Sequence, residues 1–421
     1  MTTHDVVVVG AGPAGMAAAS TAARHGCTVC LVDDNGSCGG QIWRNYDGSV
    51  KAGHPRSFTD LSQSLQSGRV DFRTRTSVVA QPVPNILRVE TAGAFEDIGY
   101  RKLILATGAR ERFLPFPGWT LPGVMGAGGL QAMVKAGLPI RGKRVLLAGT
   151  GPLLLAVAAS LAKRGAQVLG IFEQAALATL AGFCMQLLQH PGKIREGVAY
   201  RTMTMAVPFR TSSWVVRAEG ENSLQSVNVS INGSIRNFDC DFLGCAFHLV
   251  PNLELPRLLG CAIQNGFVCV NRLQETSTKD ICCVGELTGV GGLEKALCEG
   301  EIAGLVCAGR PASHLYRKRN RYLRFAKQLE ETFALRPQLA KLAEPETFVC
   351  RCEDVSRRTL EGLHSWREAK LHTRCGMGPC QGRICGAAAE FIFGWDSEQV
   401  RPPVLPARVS TLAGAVELDP R

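Results

Sequence analysis

The chain has 421 residues, and at roughly 150 residues per domain this length predicts two or three domains rather than one core. Hydrophobic residues make up 46% and charged residues 20%, a balance that excludes a disordered, collagen-like or coiled-coil protein. The formal charge of +11 raises nucleic acid or an anionic surface as partners, but no nucleic-acid motif accompanies it.

The first residues hold one short apolar run, Val6 to Val9, with no basic stretch before it. Neither a signal peptide nor a membrane span is expected there, and the expected location is a reducing cytoplasm. In that setting the 17 cysteines read as metal ligands or redox thiols rather than as a disulfide frame.

Val6 to Val9 lead at once into Gly10-Ala11-Gly12-Pro13-Ala14-Gly15 and then into an alanine-rich stretch ending near His25. This is strand, glycine turn and helix. Gly10 permits the tight turn, Gly12 lets the backbone approach a pyrophosphate, and Gly15 lets the helix pack on the strand. The phosphate then sits on the free N–H groups at the positive end of the helix. A second apolar strand, Val29 to Val32, ends in Asp33, where a carboxylate can accept hydrogen bonds from an adenosine ribose. Asp34 reads as a solvated turn residue. Gly39-Gly40-Gln41 offers another small-residue turn at which a cofactor could meet bare backbone. Cys27 and Cys30 form a CxxC, but on a strand they point to opposite faces, which predicts a buried structural pair.

Two later segments join this one. Leu103-Ile104-Leu105 runs into Ala106-Thr107-Gly108-Ala109, and Cys283-Val284-Gly285-Glu286 is followed by Gly291-Gly292 and a helix over 293–305. On these three separated motifs the chain resembles the two-dinucleotide-binding-domain flavoproteins, which include thioredoxin and glutathione reductases. The resemblance implies FAD, held by Gly10, Gly12, Pro13, Ala14, Gly15, Asp33, Gly40, Gln41, Ala106, Thr107, Gly108, Gly285, Glu286 and Gly292. Glu286 stands where that family usually has Asp, and it is expected to reach a ribityl hydroxyl or to remain a solvated loop acid. The family's redox-active cysteine pair beside the flavin is missing, so disulfide reduction is not expected.

Between the flavin segments, Arg144 to Ala148 precede Gly149-Thr150-Gly151-Pro152-Leu153-Leu154, an apolar helix to Leu161, and a strand over 167–172 ending in Glu173. The order repeats the first domain and predicts a second Rossmann-like unit with Gly149, Gly151 and Glu173 at its nucleotide site. Leu154 replaces the third glycine, where its side chain would push helix from strand or fill the nucleotide's place. NAD(H), ATP or no ligand remain open. Further on, His248 lies in an apolar run and reads as a core histidine, while residues 310–327 carry seven basic residues and no acidic one. Apolar side chains interleave with these charges, predicting a partly buried helix with a solvated basic face, ahead of a docking surface for an acidic partner.

Cys350, Cys352, Cys375, Cys380 and Cys385 fall in one C-terminal stretch. Cysteine spacing there fits an all-thiolate iron–sulfur cluster or structural zinc. The stretch, with Gly376-Met377-Gly378-Pro379-Cys380-Gln381-Gly382-Arg383, resembles the small helical [2Fe-2S] domain of the bacterioferritin-associated ferredoxin type. That resemblance implies Cys350, Cys352, Cys375 and Cys380 as ligands and Cys385 as a packing thiol.

The expected architecture is α/β: two Rossmann-like domains, the first interrupted by the second, plus a small helical [2Fe-2S] domain. The boundaries are 1–125, 126–275, 276–310, a basic linker 311–345, and 346–421. As a whole, with residues 245–255 and Arg401-Pro402-Pro403, the chain resembles the alpha subunit of heteromeric FAD-dependent amino-acid dehydrogenases. That group oxidises D-hydroxyproline, opines, or glycine in cyanide formation, and the first two look closer. The resemblance implies electron transfer from a partner flavoprotein (beta) subunit toward the respiratory chain. It also raises peripheral contact with the inner membrane and a small ferredoxin-like (gamma) subunit, with no nucleic-acid partner. No Ser-His-Asp set or HExxH is apparent, so no catalytic residue is assigned. The rival readings are a stand-alone NAD(P)H-dependent reductase and a cofactor-free assembly protein.

Overall fold

A computed structural model describes residues 2–43, 56–65, 68–396 and 400–415. The chain forms two compact units: residues 1–110, 251–327 and 398–421 make the first, and residues 111–250 and 328–397 the second. The second unit thus closes at 250 rather than 275, and most of the expected linker and C-terminal domain cluster within it.

The first unit is built on a seven-stranded sheet. Strands β1 (Thr2–Val9), β2 (Val29–Val32), β3 (Val70–Arg73), β4 (Ser77–Val83), β5 (Ile86–Glu90) and β6 (Phe95–Leu105) lie in the order β3-β2-β1-β6-β5-β4. β1 is parallel to β2 and β6, while β4, β5 and the first half of β6 form an antiparallel meander. The strand Ile281–Cys283 returns to pair in parallel with the end of β6. β1 is buried on both faces, so its continuous valine run is what a central parallel strand requires. Cys30 is buried on one side of the sheet, while Cys27, which precedes β2, packs on the other and is only half-buried, so the expected buried pair holds for Cys30 alone.

Helix α1 (Pro13–Arg24) and the helix Leu293–Cys307 pack at backbone distance. A Cβ on Gly300 would sit 2.2 Å from the carbonyl oxygen of Ala14, and one on Gly304 2.6 Å from that of Ala18. These matched steps make the two helices parallel, so both N-termini face the same edge of the sheet.

In the second unit, β7 (Val124–Gly126), β8 (Arg144–Thr150), β9 (Gln167–Glu173), β10 (Phe209–Arg210) and β11 (Phe242–Phe247) form a parallel sheet ordered β10-β9-β8-β11-β7. Helices α2 (Ala127–Lys135), α3 (Leu153–Lys163), α4 (Leu177–Gln186) and α5 (Pro191–Met203) complete the Rossmann-like part, and an antiparallel three-stranded sheet covers 213–239. Leu154 is fully buried in the core with Leu130, Val145 and Val157. The expected crowding at the third-glycine position is therefore absorbed as core packing. The C-terminal residues form a small cluster of their own around Val349, Leu360, Trp366 and Trp395.

No helix among the described residues is long and apolar enough to cross a membrane. The helix Tyr316–Thr332 carries the basic stretch, and Phe325 and Ala326 are buried as expected. Arg319 departs from the expected solvated face: it is buried and directed at Glu299.

Candidate functional site

The turn after β1 is shaped by what it cannot hold. Gly10 has φ +103°, and a Cβ there would lie 2.3 Å from the carbonyl oxygen of Ala106; a Cβ on Gly15 would lie 1.8 Å from that of Gly10. Only glycine permits both approaches. Gly12 stands at the N-terminus of α1 with no side-chain cap, and Pro13 opens the helix, so the first N–H groups face outward. Gly40, at φ +56°, comes close enough that its Cβ would be 3.0 Å from the Cα of Gly12. Gly285, at φ +77°, would likewise place a Cβ 3.0 Å from that of Ala14. Residues from three distant segments thus close around one bare-backbone notch at the start of α1, as a bound pyrophosphate requires.

Asp33 is buried at the end of β2, and its Oδ2 accepts the backbone N–H of Ala11 at 2.5 Å. Its Oδ1 accepts the backbone and side-chain N–H groups of Asn35 at 2.8 and 2.9 Å. Gln41 is exposed and Asp34 lies in the exposed turn. The Ala106-Thr107-Gly108 turn is tied to Asn252: its side chain donates to the Thr107 carbonyl at 2.7 Å and its N–H to the Gly108 carbonyl at 3.0 Å.

Glu286 is neither a solvated acid nor a free hydrogen-bonding arm. Its carboxylate accepts the N–H groups of Gly291 and Gly292 at 3.2 and 3.0 Å, at the entrance of the helix Leu293–Cys307. Burial pushes its pKa up against the opposing pull of Lys295 and those two N–H groups. Sequence reading missed the support beneath this turn. Lys295 and Glu299 are wholly buried; Lys295 Nζ donates at 2.8 Å to the Gly285 carbonyl, to Thr288 and to Glu299. Glu299 also accepts the Gly285 N–H at 3.0 Å. The i,i+4 Lys/Glu spacing was the available signal.

The second glycine turn repeats the first. Glu173, buried at the end of β9, accepts the Gly151 N–H at 2.8 Å, the Thr150 hydroxyl at 2.7 Å and the Ala175 N–H at 2.9 Å. Burial pushes its pKa up although these donors oppose the shift. A Cβ on Gly151 would meet open space. The carboxyl ends of β9 and β11 are spanned by the chain itself: Gln174 donates to the Ala334 carbonyl and accepts the Arg336 N–H, each at 3.1 Å, and His248 Nε2 meets the Phe333 carbonyl. His248 is a structural pin, as expected.

The C-terminal thiols converge. Cys350 ends the strand Phe348–Cys350, Cys352 follows in the exposed turn, Cys380 lies in the glycine-rich loop, and Cys385 opens the helix Cys385–Phe393. These four, with Phe113, Trp119, Val124, Met125, Gly126, Arg351 and Ile384, line a cavity of about 240 Å³. Trp119 fastens the wall by donating Nε1–H to the Phe348 carbonyl at 2.7 Å. Gly378 is a close-approach glycine, since its Cβ would be 2.4 Å from that of Cys352. Gly376 donates its N–H to Cys350 Sγ at 3.4 Å.

Cys375 and Cys385 both join the thiol cluster around Cys350. Cys385, expected to be a packing thiol, lines the cavity. Cys375, expected as a ligand, is fully buried, and the Sγ atoms of Cys350, Cys375 and Cys385 all lie within 4.8 Å of one another. Hydrogen bonds from Cys375 and Cys385 pull the Cys350 thiol down to about 2, and one from Cys385 draws Cys380 down to about 5. The same bond to Cys350 pushes Cys375 up to about 12. Hydrogen bonds to Cys350, Cys375 and Cys380 push the Cys385 thiol well up, so Cys385 is the proton donor of the cluster.

Two dinucleotide folds in one chain, one with a fully formed glycine notch, define a nucleotide-binding flavoprotein. The model of the pyridine nucleotide-disulphide oxidoreductase family matches residues 4–309, and the chain belongs to that family as an FAD-dependent oxidoreductase. It is 30% identical to hydrogen cyanide synthase subunit HcnB of Pseudomonas aeruginosa, over 98% of this chain and 96% of that protein. It is 29% identical to one of the subunits of opine oxidase from Agrobacterium tumefaciens, over 97% and 91%. These identities do not bring the opine enzymes nearer than the cyanide-forming one. Among solved structures, L-proline dehydrogenase from P. horikoshii superposes with a TM-score of 0.68 at 17% identity, covering 98% of this chain and 80% of that one. Thioredoxin reductase from T. acidophilum gives 0.57 at 20%, covering 73% and 99%. Both are likenesses of fold.

Proposed function

We propose that the chain is the electron-transfer subunit of a heteromeric dehydrogenase acting on a D-amino or imino acid such as D-hydroxyproline or an opine. Electrons from a substrate-oxidising flavoprotein partner pass through it toward the respiratory chain. The observation that carries the reading is the gathering of five thiols, Cys350, Cys352, Cys375, Cys380 and Cys385, of which Cys350, Cys352, Cys375 and Cys380 would be the ligands, in a chain without a redox-active cysteine pair among its flavin motifs. Four thiolates are the ligand set of a [2Fe-2S] cluster, and the glycine-rich walls supply N–H donors to sulfur. When bound, FAD exchanges electrons in pairs and a [2Fe-2S] cluster singly, which together convert two-electron into one-electron transfer.

The residues do the holding. The notch of Gly10, Gly12, Gly15 and Gly40 would receive the FAD pyrophosphate, Asp33 would orient the adenosine ribose, and the Lys295–Glu299 pair keeps the Gly285 turn in place. The relatives named above are subunits, which supports a separate partner. Against a stand-alone NAD(P)H reductase stands the segment Phe333 to Arg336, whose hydrogen bonds to Gln174 and His248 cross the carboxyl ends of the second sheet. A nicotinamide nucleotide would need that crevice open.

The test is anaerobic purification from the native host with flavin, iron, zinc and sulfide analysis. The reading requires flavin, iron and sulfide in this chain and a second flavoprotein that alone oxidises the substrate. Zinc without sulfide, or rapid flavin bleaching by NADH in the isolated chain, overturns it.

A further inference from the structure

Helix α4 and the turn Leu187–Gln189 that continues it are apolar on both sides. Residues 174–189 contain no charged side chain. Leu180, Phe183 and Leu187, spaced i, i+3, i+7, turn toward the protein, where Phe183 meets Phe333 edge-on with ring centroids 5.3 Å apart. On the opposite side Leu177, Ala181, Cys184, Met185 and Leu188 follow i, i+4, i+7, i+8, i+11, and all five are exposed. Leu177 and Met185 are 69% exposed and Leu188 66%.

That spacing is the stripe by which a helix docks on a neighbour. A helix left to water carries charge on its outer face, and one that is apolar all round belongs in an interior. Leu177, Met185 and Leu188 alone expose roughly 400 Å², as large as the biggest patch of an ordinary monomer. It is about half of what each partner buries in a standard interface, enough for the apolar centre of one. A membrane-surface helix would carry Lys or Arg along its flank, and this segment has none.

We infer that the outer face of α4 is the docking surface for the substrate-oxidising flavoprotein subunit, which presents a complementary charge-free groove. This rests on the heteromeric reading proposed above. Because no charge takes part on this side, the association at α4 is insensitive to ionic strength.

The test uses the tagged full-length chain expressed in its native host. Wild type is expected to bring down the flavoprotein that oxidises the amino acid, at low salt and at about 1 M salt alike. The Leu177→Glu/Leu188→Glu variant is expected to lose at least tenfold of it while keeping its own flavin and melting temperature. Ile235→Lys, at an exposed apolar position elsewhere in the same unit, is expected to retain it. Cys184 should react with a maleimide in the isolated chain and be protected in the complex. Full retention by the α4 variant overturns the inference. So does an isolated wild-type chain that is a dimer which the variant splits, or one that binds phosphatidylglycerol vesicles through α4. If wild type recovers no such flavoprotein, the heteromeric reading fails first and takes this inference with it.

Discussion

The carboxylate of Asp33 holds the backbone N–H of Ala11 at 2.5 Å, so the end of the second strand is fastened to the glycine turn of the first. One side chain thereby sets the shape of the turn and, in the function proposed above, would orient the ribose. Asp33→Ala removes a charge-assisted hydrogen bond of roughly 1.5–3 kcal/mol. Flavin affinity should fall about 10- to 100-fold by that energy. Flavin retained after gel filtration, measured by absorbance against protein, checks this. Asp33→Asn, which keeps one acceptor, should lose less.

Beneath the returning turn, Lys295 and Glu299 form a buried pair at 2.8 Å, and Arg319 stands 3.7 Å from the second oxygen of Glu299. Removing one partner of such a pair strands a charge and costs about 3–5 kcal/mol. Lys295→Met should therefore lower stability markedly and loosen the Gly285 turn, releasing flavin at a lower temperature than wild type. A Lys295→Met/Glu299→Leu chain should recover part of the loss, since no unpaired Glu299 is left. Thermal unfolding with flavin fluorescence measures both.

In the thiol cavity the decisive comparison is between Cys375 and Cys385. Both lie against Cys350, and both hydrogen-bond its sulfur. Cys375→Ala should abolish iron and sulfide binding, since it removes one of the four proposed thiolate ligands. Cys385→Ala should retain both but lose a thiol donor to Cys350 and Cys380, lowering the midpoint potential, because hydrogen bonds to a ligand sulfur raise it. Metal analysis and a redox titration followed by electron paramagnetic resonance separate the two roles. Loss of iron in Cys385→Ala would bring that residue into the ligand set.

Much of the fold was legible because its signals are local. The valine run of β1, the glycine turns and the acids 33 and 173 each declare themselves within a few residues, and the structure places all of them on sheet edges. What escaped was long-range. Lys295 and Glu299 look like one more solvent-facing pair until the helix is packed against α1 by Gly300 and Gly304. Glu286 was read by its place in a motif, whereas its geometry is set by the two glycine N–H groups that follow it. Spacing also could not say that Cys385 would join Cys350 and Cys375, since turns fill the chain between Cys375 and Cys385.

Stability in acid depends on His248, whose ring nitrogen lies against the Phe333 carbonyl. Burial holds its pKa below 6.5, with the nearby Arg112 guanidinium adding to the effect. The folded protein therefore binds fewer protons here than the unfolded chain as pH falls through 6.5 toward the folded value. The resulting stability is fully present above pH 6.5 and is lost across that window as the unfolded histidine takes up its proton. His248→Gln keeps a donor for the Phe333 carbonyl and removes the titration. Urea midpoints at pH 7.5 and 5.5 should differ less in the variant than in wild type, and an equal drop in both would assign the acid sensitivity to other groups, His4 among them, whose pKa burial also lowers.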